Sequence, residues 1–477
     1  MRSLLLASFL FCTGLASAQE VLSAEAQDLQ LAAVINLILP ITVDYDVQQY
    51  KIVYTTVDAF GMPDTASGLL SLPLTDMDLA FPLAVYNHGT VGEREAVPSR
   101  SGTPERLLAT AIAASGYATL SPDYIGLGDS DGIHPYVHAA SEASAGRDMI
   151  VAVRDWLSGQ EYAFTDQLFL TGYSQGGHAT AALHRDIETN PGDDGLTVTS
   201  ATHLSGPYSI SDVMVGTLFT EELSTRPGYI AYTYVSYNFV YGLYDDLSEV
   251  FVEPYLAPTR QFAAEEISLD EYDAILVDLL AENDARLEEI LQPAVVEVLR
   301  NGDPTAPINQ ALADNDTYDW APVAPTLIFY CTEDDQVPFR NAILADSVMR
   351  ANGATAVTLE SGGPLSHTGC VIPASLATLE FWAELQEIVN SLGAPADRPD
   401  VTLAPNPAAR GTELRLTGLP AGPLPYALYD AQGRLAAHGL TTSHGTLRPR
   451  QNMVPGIHML RVGLPDGTSV VRRVVLQ

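Results

Sequence analysis

Short apolar strand-like segments alternate with helix-like segments along the first half of the chain. The strand-like "PLAVYNHG" is followed by the helix-like "PERLLATAIAASG", and "YATLSPDY" is followed by "EASAGRDMIVAVRDWL". "QLFLTGYS" is then followed by further helix-like residues, and after them comes another strand-like segment, "TVTSATHLSG". Ahead of them, "YKIVYTTVDAF" and "ASGLLSLPL" predict an antiparallel pair. Strands separated by helices of this length form βαβ units, whose parallel sheet is covered by helices on both faces. The pattern therefore predicts an α/β fold with a mostly parallel, doubly wound sheet.

The alternation is interrupted once. Residues 207–320 lack clear strands and include a helix candidate over 264–299. Strand-like segments resume at "APTLIFYC" and "AVTLESGG", and a helix is predicted over 373–392. This layout predicts a helical cap inserted into the sheet domain.

The C-terminal part of the chain has a different character. From Pro399 onward there are eight arginines and four acidic residues, whereas the whole chain has a formal charge of −36. Short strands alternate there with Gly/Pro turns, which is typical of a small β-sandwich. We expect a main domain over residues 19–396 and a separate sandwich over residues 400–477.

The N-terminus "MRSLLLASFLFCTGLASAQE" has the layout of a secretory signal peptide. A charged Arg2 precedes an apolar stretch and an A-x-A cleavage site at residues 16–18. No later apolar stretch is long enough to cross a bilayer. The sequence therefore predicts cleavage after residue 18 and a secreted or cell-surface protein without a transmembrane segment.

The strongly negative net charge of the chain limits the classes of molecule that it can bind. With 59 acidic residues against 23 basic ones, the protein repels nucleic acid and anionic lipid headgroups. We therefore expect neither class of partner.

One serine stands between two glycines where a strand is expected to end and a helix to begin, in Gly172-Tyr173-Ser174-Gln175-Gly176. A G-x-S-x-G sequence between a strand and a helix is typical of a nucleophile elbow, which raises the serine hydroxyl above the sheet edge. A serine hydroxyl is a weak nucleophile, so it needs a base, and the base needs an orienting acid.

Candidates for both partners follow later strands. After the strand "TLIFY" the chain offers Glu333, Asp334 and Asp335, and after "VTLES" it offers His367. The remaining downstream histidines, at positions 438, 444 and 458, lie in the predicted sandwich. His367 is therefore the expected base, while the residues alone leave the acid open between the neighbouring aspartates.

These pieces together resemble the α/β-hydrolase superfamily, and within it the secreted lipases and esterases with a helical lid. The resemblance covers roughly residues 50–390 and rests on "YNHGT", "SPDYIGLGDSDGIHPY", "GYSQGGHA", "CTEDDQVP" and "SHTGC". It implies Asp334 as the acid, in a G-x-x-D-x-x-V-P frame whose glycine is replaced by Cys331, with Asp335 as the alternative. It also implies an oxyanion hole formed by the backbone N–H groups of Gln175 and Thr90.

The same resemblance implies an enzyme that cleaves small or polymeric carboxylic esters through an acyl-enzyme, without a cofactor. A serine peptidase on the same fold and a non-catalytic surface adhesion protein are the alternatives. His134 and His138 have the i, i+4 spacing of a metal pair, but Pro135 interrupts the helix that such a pair needs, so no metal site is predicted. The tyrosine-rich run over 229–255 predicts cap core and, in part, a wall of the acyl pocket.

Two cysteines remain after the signal peptide. Cys331 lies three residues before Asp334, and Cys370 lies three residues after His367. Since the acid and the base must hydrogen-bond, their loops should meet, which predicts a disulfide between the two cysteines, with buried free thiols as the alternative.

The C-terminal segment has a resemblance of its own. "LAPNPA", "LYDAQGRL" and "VPGIHMLRVGLPDGTSVVRRVVLQ" resemble the C-terminal sorting domain of the type IX secretion system over residues 400–477. This implies an export machinery as a partner; a carbohydrate-binding or adhesive sandwich is the alternative.

Overall fold

The computed structural model describes most of the chain after the predicted leader. The described residues are 19–75, 77–160, 162–220, 225–390, 401–406, 408–420, 422–429, 435–443, 445–449, 453–463 and 469–476. The signal peptide predicted at residues 1–18 lies outside the described residues.

A large mixed sheet forms the centre of the main domain. Its strands are β1 Val21–Gln30, β2 Asp46–Val57, β3 Pro63–Leu74, β4 Leu79–Asn87, β5 Ala118–Pro122, β6 Phe164–Tyr173, β7 Ser200–Leu204, β8 Thr326–Tyr330, β9 Val357–Ser361 and the short β10 Val389–Asn390. The strand order is β1-β2-β3-β5-β4-β6-β7-β8-β9, with β10 paired to β4. Strands β1, β2, β3 and β5 pair antiparallel, and the sheet is parallel from β5 to β9. The predicted parallel sheet with an opening antiparallel pair is confirmed.

Twelve α-helices are found in the described residues. They are α1 Ala32–Ile38, α2 Pro104–Ala114, α3 Ala139–Gly159, α4 Gln175–Thr189, α5 Val215–Thr217, α6 Gly228–Tyr241, α7 Leu256–Ala263, α8 Leu269–Asn283, α9 Pro293–Asn301, α10 Pro307–Asp314, α11 Arg340–Ala351 and α12 His367–Ala383. None of the helices in these ranges is both long and apolar enough to cross a membrane.

The sheet is buried on both faces. Leu69 and Leu70 are neighbours on β3 and both are fully buried, although their side chains belong to different cores. Leu70 packs in a core with Met149 of α3, and Leu69 lies in a core with Trp382 of α12. Because successive side chains of a strand point to opposite faces, helices must cover both sides of the sheet.

Helices α5 to α10 form the cap between β7 and β8. The cap has its own core, in which Tyr237, Phe251, Tyr272 and Ile290 are fully buried. The single helix predicted over 264–299 is wrong. The chain forms α8, a short 3₁₀ turn over Leu287–Ile290 and α9 instead, because α8 ends at a left-handed residue with φ 49° and α9 restarts with a proline at its first position.

The last helix of the main domain differs from the helix predicted over 373–392. Helix α12 begins six residues earlier, where the hydroxyl of Ser366 accepts a hydrogen bond from Gly369 N–H at 3.3 Å. It ends at Ala383, and β10 then pairs antiparallel with the start of β4. The early start matters for the site, because it makes His367 the first residue of the helix.

The C-terminal residues are β-rich, as predicted. Their strands are β11 Thr402–Ala404, β12 Leu414–Thr417, β13 Pro425–Tyr429, β14 Leu435–Leu440, β15 Thr446–Leu447, β16 Gly456–Gly463 and β17 Ser469–Leu476. They form a three-stranded sheet, β11-β12-β15, and a four-stranded sheet, β14-β13-β16-β17. Leu414, Leu428, Leu460 and Val474 are fully buried in a core of this region.

Candidate active site

Ser174 sits on a sharp turn between β6 and α4. Its backbone has φ 60° and ψ −121°, a conformation that is strained for a residue with a side chain. Its N–H donates to the carbonyl oxygen of Leu204 at 3.0 Å. Gln175 is the first residue of α4, so its N–H has no partner within the helix. The turn has the geometry that the G-x-S-x-G sequence predicts.

The two glycines of the turn allow three backbone segments to approach closely. A Cβ on Gly172 would lie 2.3 Å from the carbonyl oxygen of Gly176, and a Cβ on Gly176 would lie 2.0 Å from that of Asn87. Since no side chain fits at these distances, the turn requires glycine at both positions. The end of β4 is thereby brought against the start of α4.

A histidine and an aspartate pair beside this turn. His367 Nδ1 lies 2.7 Å from Asp334 Oδ2, and the side chains are only 7% and 1% exposed. The other carboxylate oxygen of Asp334 accepts hydrogen bonds from Val337 N–H at 2.8 Å and Gln336 N–H at 3.1 Å. The carboxylate is therefore fixed in position and bonds to the imidazole through Nδ1, so that Nε2 is the ring nitrogen that faces away from Asp334.

Asp335 has a different role. Its carboxylate accepts a hydrogen bond from the backbone N–H of His367 at 3.0 Å and another from the Thr225 hydroxyl at 3.2 Å. Burial acts to raise the pKa of Asp335, but the hydrogen bonds, led by that from His367 N–H, lower it overall. Of the two aspartates left open by the sequence, Asp334 faces the imidazole ring and Asp335 supports the backbone.

Tyr173 connects the serine turn to the histidine. Its hydroxyl donates to the carbonyl oxygen of His367 at 2.7 Å, and the two rings lie 5.0 Å apart. Ser174 and His367 are both buried, and β6 and β8, which lead to the serine and to the acid, flank β7 in the parallel part of the sheet. The turn that carries Ser174 and the segment that begins at His367 therefore lie at the same carboxyl edge of the sheet, linked by the Tyr173 hydroxyl.

The loop after β4 borders the serine from the other side. A Cβ built on Gly89 would lie 3.9 Å from Ser174 Cβ, and Thr90 follows directly. Among the described residues, Thr90 N–H donates no hydrogen bond to another backbone group. The segment that carries Thr90 therefore borders Ser174 on one side, and Gln175, at the start of α4, follows the serine directly.

Cys331 and Cys370 form a disulfide. Cys331 and Cys370 are fully buried, and their Cα atoms lie 6.1 Å apart. The bridge joins the loop that carries Asp334 to the helix that begins at His367. It ties the segments that carry Asp334 and His367 to each other covalently.

Behind the elbow lies a buried polar network that sequence reasoning missed. The Gln175 side-chain amide donates to Glu142 Oε1 at 3.0 Å, and Glu142 Oε2 lies 2.6 Å from His178 Nδ1. His178 Nε2 lies 2.7 Å from the backbone oxygen of Asn315 in the cap insertion. Both ring nitrogens of His178 therefore face oxygen atoms, and the side chains of His178 and Glu142 are at most 1% exposed. No motif marks Glu142, which lies in α3, far from Ser174 in sequence.

His134 and His138 do not form a metal pair. His134 Nδ1 lies 2.8 Å from the carbonyl oxygen of Ile125, and its Nε2 lies 2.9 Å from the Gln175 amide nitrogen. His138 caps α3 through Ser141. Burial lowers the pKa of His134 to about 3 and that of His138 to about 4, so both are neutral at pH 7. The described part of the chain contains no group of three side chains suited to a metal ion.

Comparison with known proteins gives likenesses in structure. The sequence matches no protein-family model and no curated protein. The rice cell wall degrading esterase LipA of Xanthomonas oryzae is similar, with a TM-score of 0.67 and 26% identity over 77% of this chain and 98% of that chain. A Legionella pneumophila protein provisionally named a hydrolase is also similar, with a TM-score of 0.69, 26% identity and the same coverage.

A more distant likeness concerns the fold alone. Candida antarctica lipase A in its closed state has a TM-score of 0.55 at 15% identity, over 78% of this chain and 84% of that chain. The strand order of the sheet, the serine turn after β6 and these likenesses all indicate the same fold. The chain has the α/β-hydrolase fold, and its structural neighbours are esterases and lipases.

Proposed function

We propose that the protein is a serine hydrolase that cleaves carboxylic esters through an acyl-enzyme, with Ser174, His367 and Asp334 as its catalytic residues. The observation that carries the proposal is the 2.7 Å hydrogen bond between His367 Nδ1 and Asp334, formed beside the strained turn of Ser174. The Xanthomonas oryzae esterase among the structural neighbours, at 26% identity, supports the same chemistry.

The proposed reaction has two halves. His367 Nε2 takes the proton of the Ser174 hydroxyl as its oxygen attacks the ester carbonyl, and then gives that proton to the departing alcohol. In the second half, His367 takes a proton from water, the hydroxide attacks the acyl-enzyme, and the proton returns to Ser174 as the acid leaves. Asp334 holds the ring in the tautomer with hydrogen on Nδ1 and stabilises the positive charge that forms in each half.

Two backbone donors are proposed to stabilise the oxyanion. The N–H groups of Gln175 and Thr90 border Ser174 from the start of α4 and from the loop after β4. Removing one such donor from a hydrolase typically lowers kcat by about 10²–10³-fold. No step of this mechanism requires a cofactor.

The decisive experiment is labelling with a fluorophosphonate probe, which reacts with an activated serine. Wild type should be labelled, whereas Ser174→Ala should fold normally and remain unlabelled. An unlabelled wild type would favour the alternative of a non-catalytic adhesion protein. Hydrolysis of p-nitrophenyl esters in preference to aminoacyl p-nitroanilides separates the esterase from a peptidase, and the name of the Xanthomonas esterase supports adding plant cell-wall material to the panel.

We further propose export to the cell surface or beyond, through the signal peptide at residues 1–18 and a sorting domain at residues 400–477. The β-rich C-terminal region with its own core supports a separate folding unit. Deleting residues 400–477 should leave esterase activity intact and abolish surface delivery in the native host. Equal export of the shortened protein would reject the sorting domain.

A further inference from the structure

The hydroxyl of Tyr136 lies against the loop that borders Ser174. Its oxygen is 3.1 Å from Thr90 Oγ1, and the side chain is buried. Burial, with a smaller contribution from neighbouring tyrosines, raises the pKa of Tyr136 well above its usual value, so the phenol keeps its proton. Tyr136 can therefore hold the side chain of Thr90, and with it the peptide that carries Thr90 N–H.

Helix α6 of the cap packs against this tyrosine. The ring of Tyr232, from helix α6, stacks on the ring of Tyr136 with centroids 4.3 Å apart and planes inclined by 5°. The Tyr232 hydroxyl donates to the carbonyl oxygen of Val91 at 3.2 Å. One cap side chain thus contacts both the tyrosine that holds Thr90 and the residue that follows Thr90.

The backbone beside Tyr136 is strained, and the cap holds it there. Val137 has φ 47°, which is rare for a β-branched residue and costs about 1–3 kcal/mol. Two side chains of α6 bond to this loop: the Tyr237 hydroxyl donates to Val137 O at 3.1 Å, and the Ser236 hydroxyl donates to His134 O at 2.8 Å. Such a conformation persists only where its surroundings over-determine it, and here they do so next to the tyrosine that contacts Thr90.

We propose that Tyr136 is a positioning residue that fixes Thr90 in the oxyanion hole, and that helix α6 of the cap holds Tyr136 in place through Tyr232. This inference rests on the proposed function, because it concerns the stabilisation of the oxyanion in ester cleavage. It makes the cap part of the catalytic geometry as well as a cover over the site.

The test is Tyr136→Phe, which removes the hydroxyl and keeps the stacked ring. We expect kcat on p-nitrophenyl butyrate to fall about 10-fold with KM within twofold, since a misplaced donor should cost less than a deleted one. Tyr234→Phe is the matched control. Tyr234 lies on α6, the helix that holds Tyr136, and its buried hydroxyl has no hydrogen-bond partner in the described structure. It should leave kcat and KM unchanged.

A tetrahedral adduct reports on the oxyanion hole directly. The affinity for a trifluoromethyl ketone, which forms such an adduct with the serine, should fall in Tyr136→Phe by the same factor as kcat/KM. In a Thr90→Ala background, Tyr136→Phe should have no further effect, because the contact it removes is already absent. Should Tyr136→Phe fail to fold, the half-exposed Thr90 provides the test: Thr90→Ser, which keeps the hydroxyl, should retain more kcat than Thr90→Ala.

Several results would overturn the inference. These are a kcat within twofold of wild type in Tyr136→Phe, an equal loss in Tyr234→Phe, a loss that persists in the Thr90→Ala background, or equal kcat in Thr90→Ser and Thr90→Ala. Each of them leaves the proposed esterase standing, since wild type remains active and is labelled by the fluorophosphonate. A wild type that is neither labelled nor active would reject the proposed function and this inference together.

Discussion

The disulfide should contribute a large part of the stability of the active-site region. Replacing Cys331 and Cys370 together by alanine removes a cross-link between residues 39 positions apart. Closing a loop of that length lowers the entropy of the unfolded chain by about 13 cal/mol/K, which corresponds to about 4 kcal/mol at 25 °C. The double variant should therefore lose about 4 kcal/mol of unfolding free energy.

The loss can be measured by urea unfolding followed by tryptophan fluorescence. Trp382 is suited to this, since it is fully buried in the helix that carries Cys370. Unmodified protein reduced with dithiothreitol throughout the titration is the matched control, because it loses the cross-link and keeps both sulfur atoms. Agreement between the two would assign the effect to the cross-link; a larger loss in the alanine variant alone would measure the packing of the sulfurs.

The same variant should also affect catalysis. The bridge joins the segments of Asp334 and His367, so its removal should loosen their hydrogen bond and lower kcat more than it changes KM. An unfolding free energy within 1 kcal/mol of wild type would refute the entropic reasoning. Two titratable thiols in unfolded, unreduced wild type would refute the bridge itself.

Three further predictions concern the site and the pH range of the fold. Asp334→Asn should lower kcat by about 10⁴-fold, whereas Asp335→Asn should be far milder; the reverse order in steady-state kinetics would exchange their roles. Burial lowers the pKa of His134 to about 3 and that of His138 to about 4. Because the unfolded chain binds these protons more readily than the folded one, each histidine contributes stability that is complete above pH 6.5 and is lost as the pH falls below it. The loss is about 2 kcal/mol for each histidine at pH 5. The buried carboxyls of Asp123 and Asp316, whose pKa values are raised, oppose part of this loss. Urea unfolding at pH 7.5 and pH 5 should show the fall, which should be smaller in His138→Asn; equal stability at both pH values would contradict it. On p-nitrophenyl esters, kcat/KM should rise from acetate to about butyrate or hexanoate and then fall, since each methylene gains about 0.8 kcal/mol only until the pocket is filled; a rate still rising at palmitate would contradict this.

The sequence predicts the central sheet because its strands are short apolar runs set between helices and glycine-rich turns. It does not reveal β1, in which Leu29 is the one buried residue and the others are exposed or half-buried. That strand is held by its backbone pairing with β2, which is a tertiary property rather than a local one. The early start of α12 also escapes prediction, because the helix continues through Pro373 and its cap, Ser366, lies inside a motif that was interpreted for its chemistry.

At the site, the sequence identifies residues that a motif or chain order marks, and misses those that act through packing. Ser174, Asp334 and His367 can be found because each follows a strand that ends at the same edge of the sheet. Tyr136 ends the quoted segment "SPDYIGLGDSDGIHPY" but has no role assigned by it, and Glu142 lies outside every quoted motif. The partners of both are set by how the loop after β5 and helix α3 pack against the elbow. The sequence did contain a signal for Glu142. His178 lies one helical turn after Ser174, and a histidine at that position needs a buried partner once α4 packs against α3.

Strained backbone conformations also occur at the carboxyl edge of the sheet. Three non-glycine residues with positive φ come one or two positions after successive parallel strands: Tyr124 after β5, Ser174 after β6 and Ser205 after β7. Each is held by hydrogen bonds to neighbouring segments: the Tyr124 hydroxyl donates to His88 O, and the N–H groups of Ser174 and Ser205 donate to Leu204 O and Phe329 O. Strain of this kind survives only where the surrounding packing over-determines it, and the doubly covered sheet supplies that packing. The proposed oxyanion donors beside Ser174 therefore lie on backbone that hydrogen bonds and packing already hold in place. Donors held in place in this way stabilise a transition state most, because little rearrangement is needed when the charge develops.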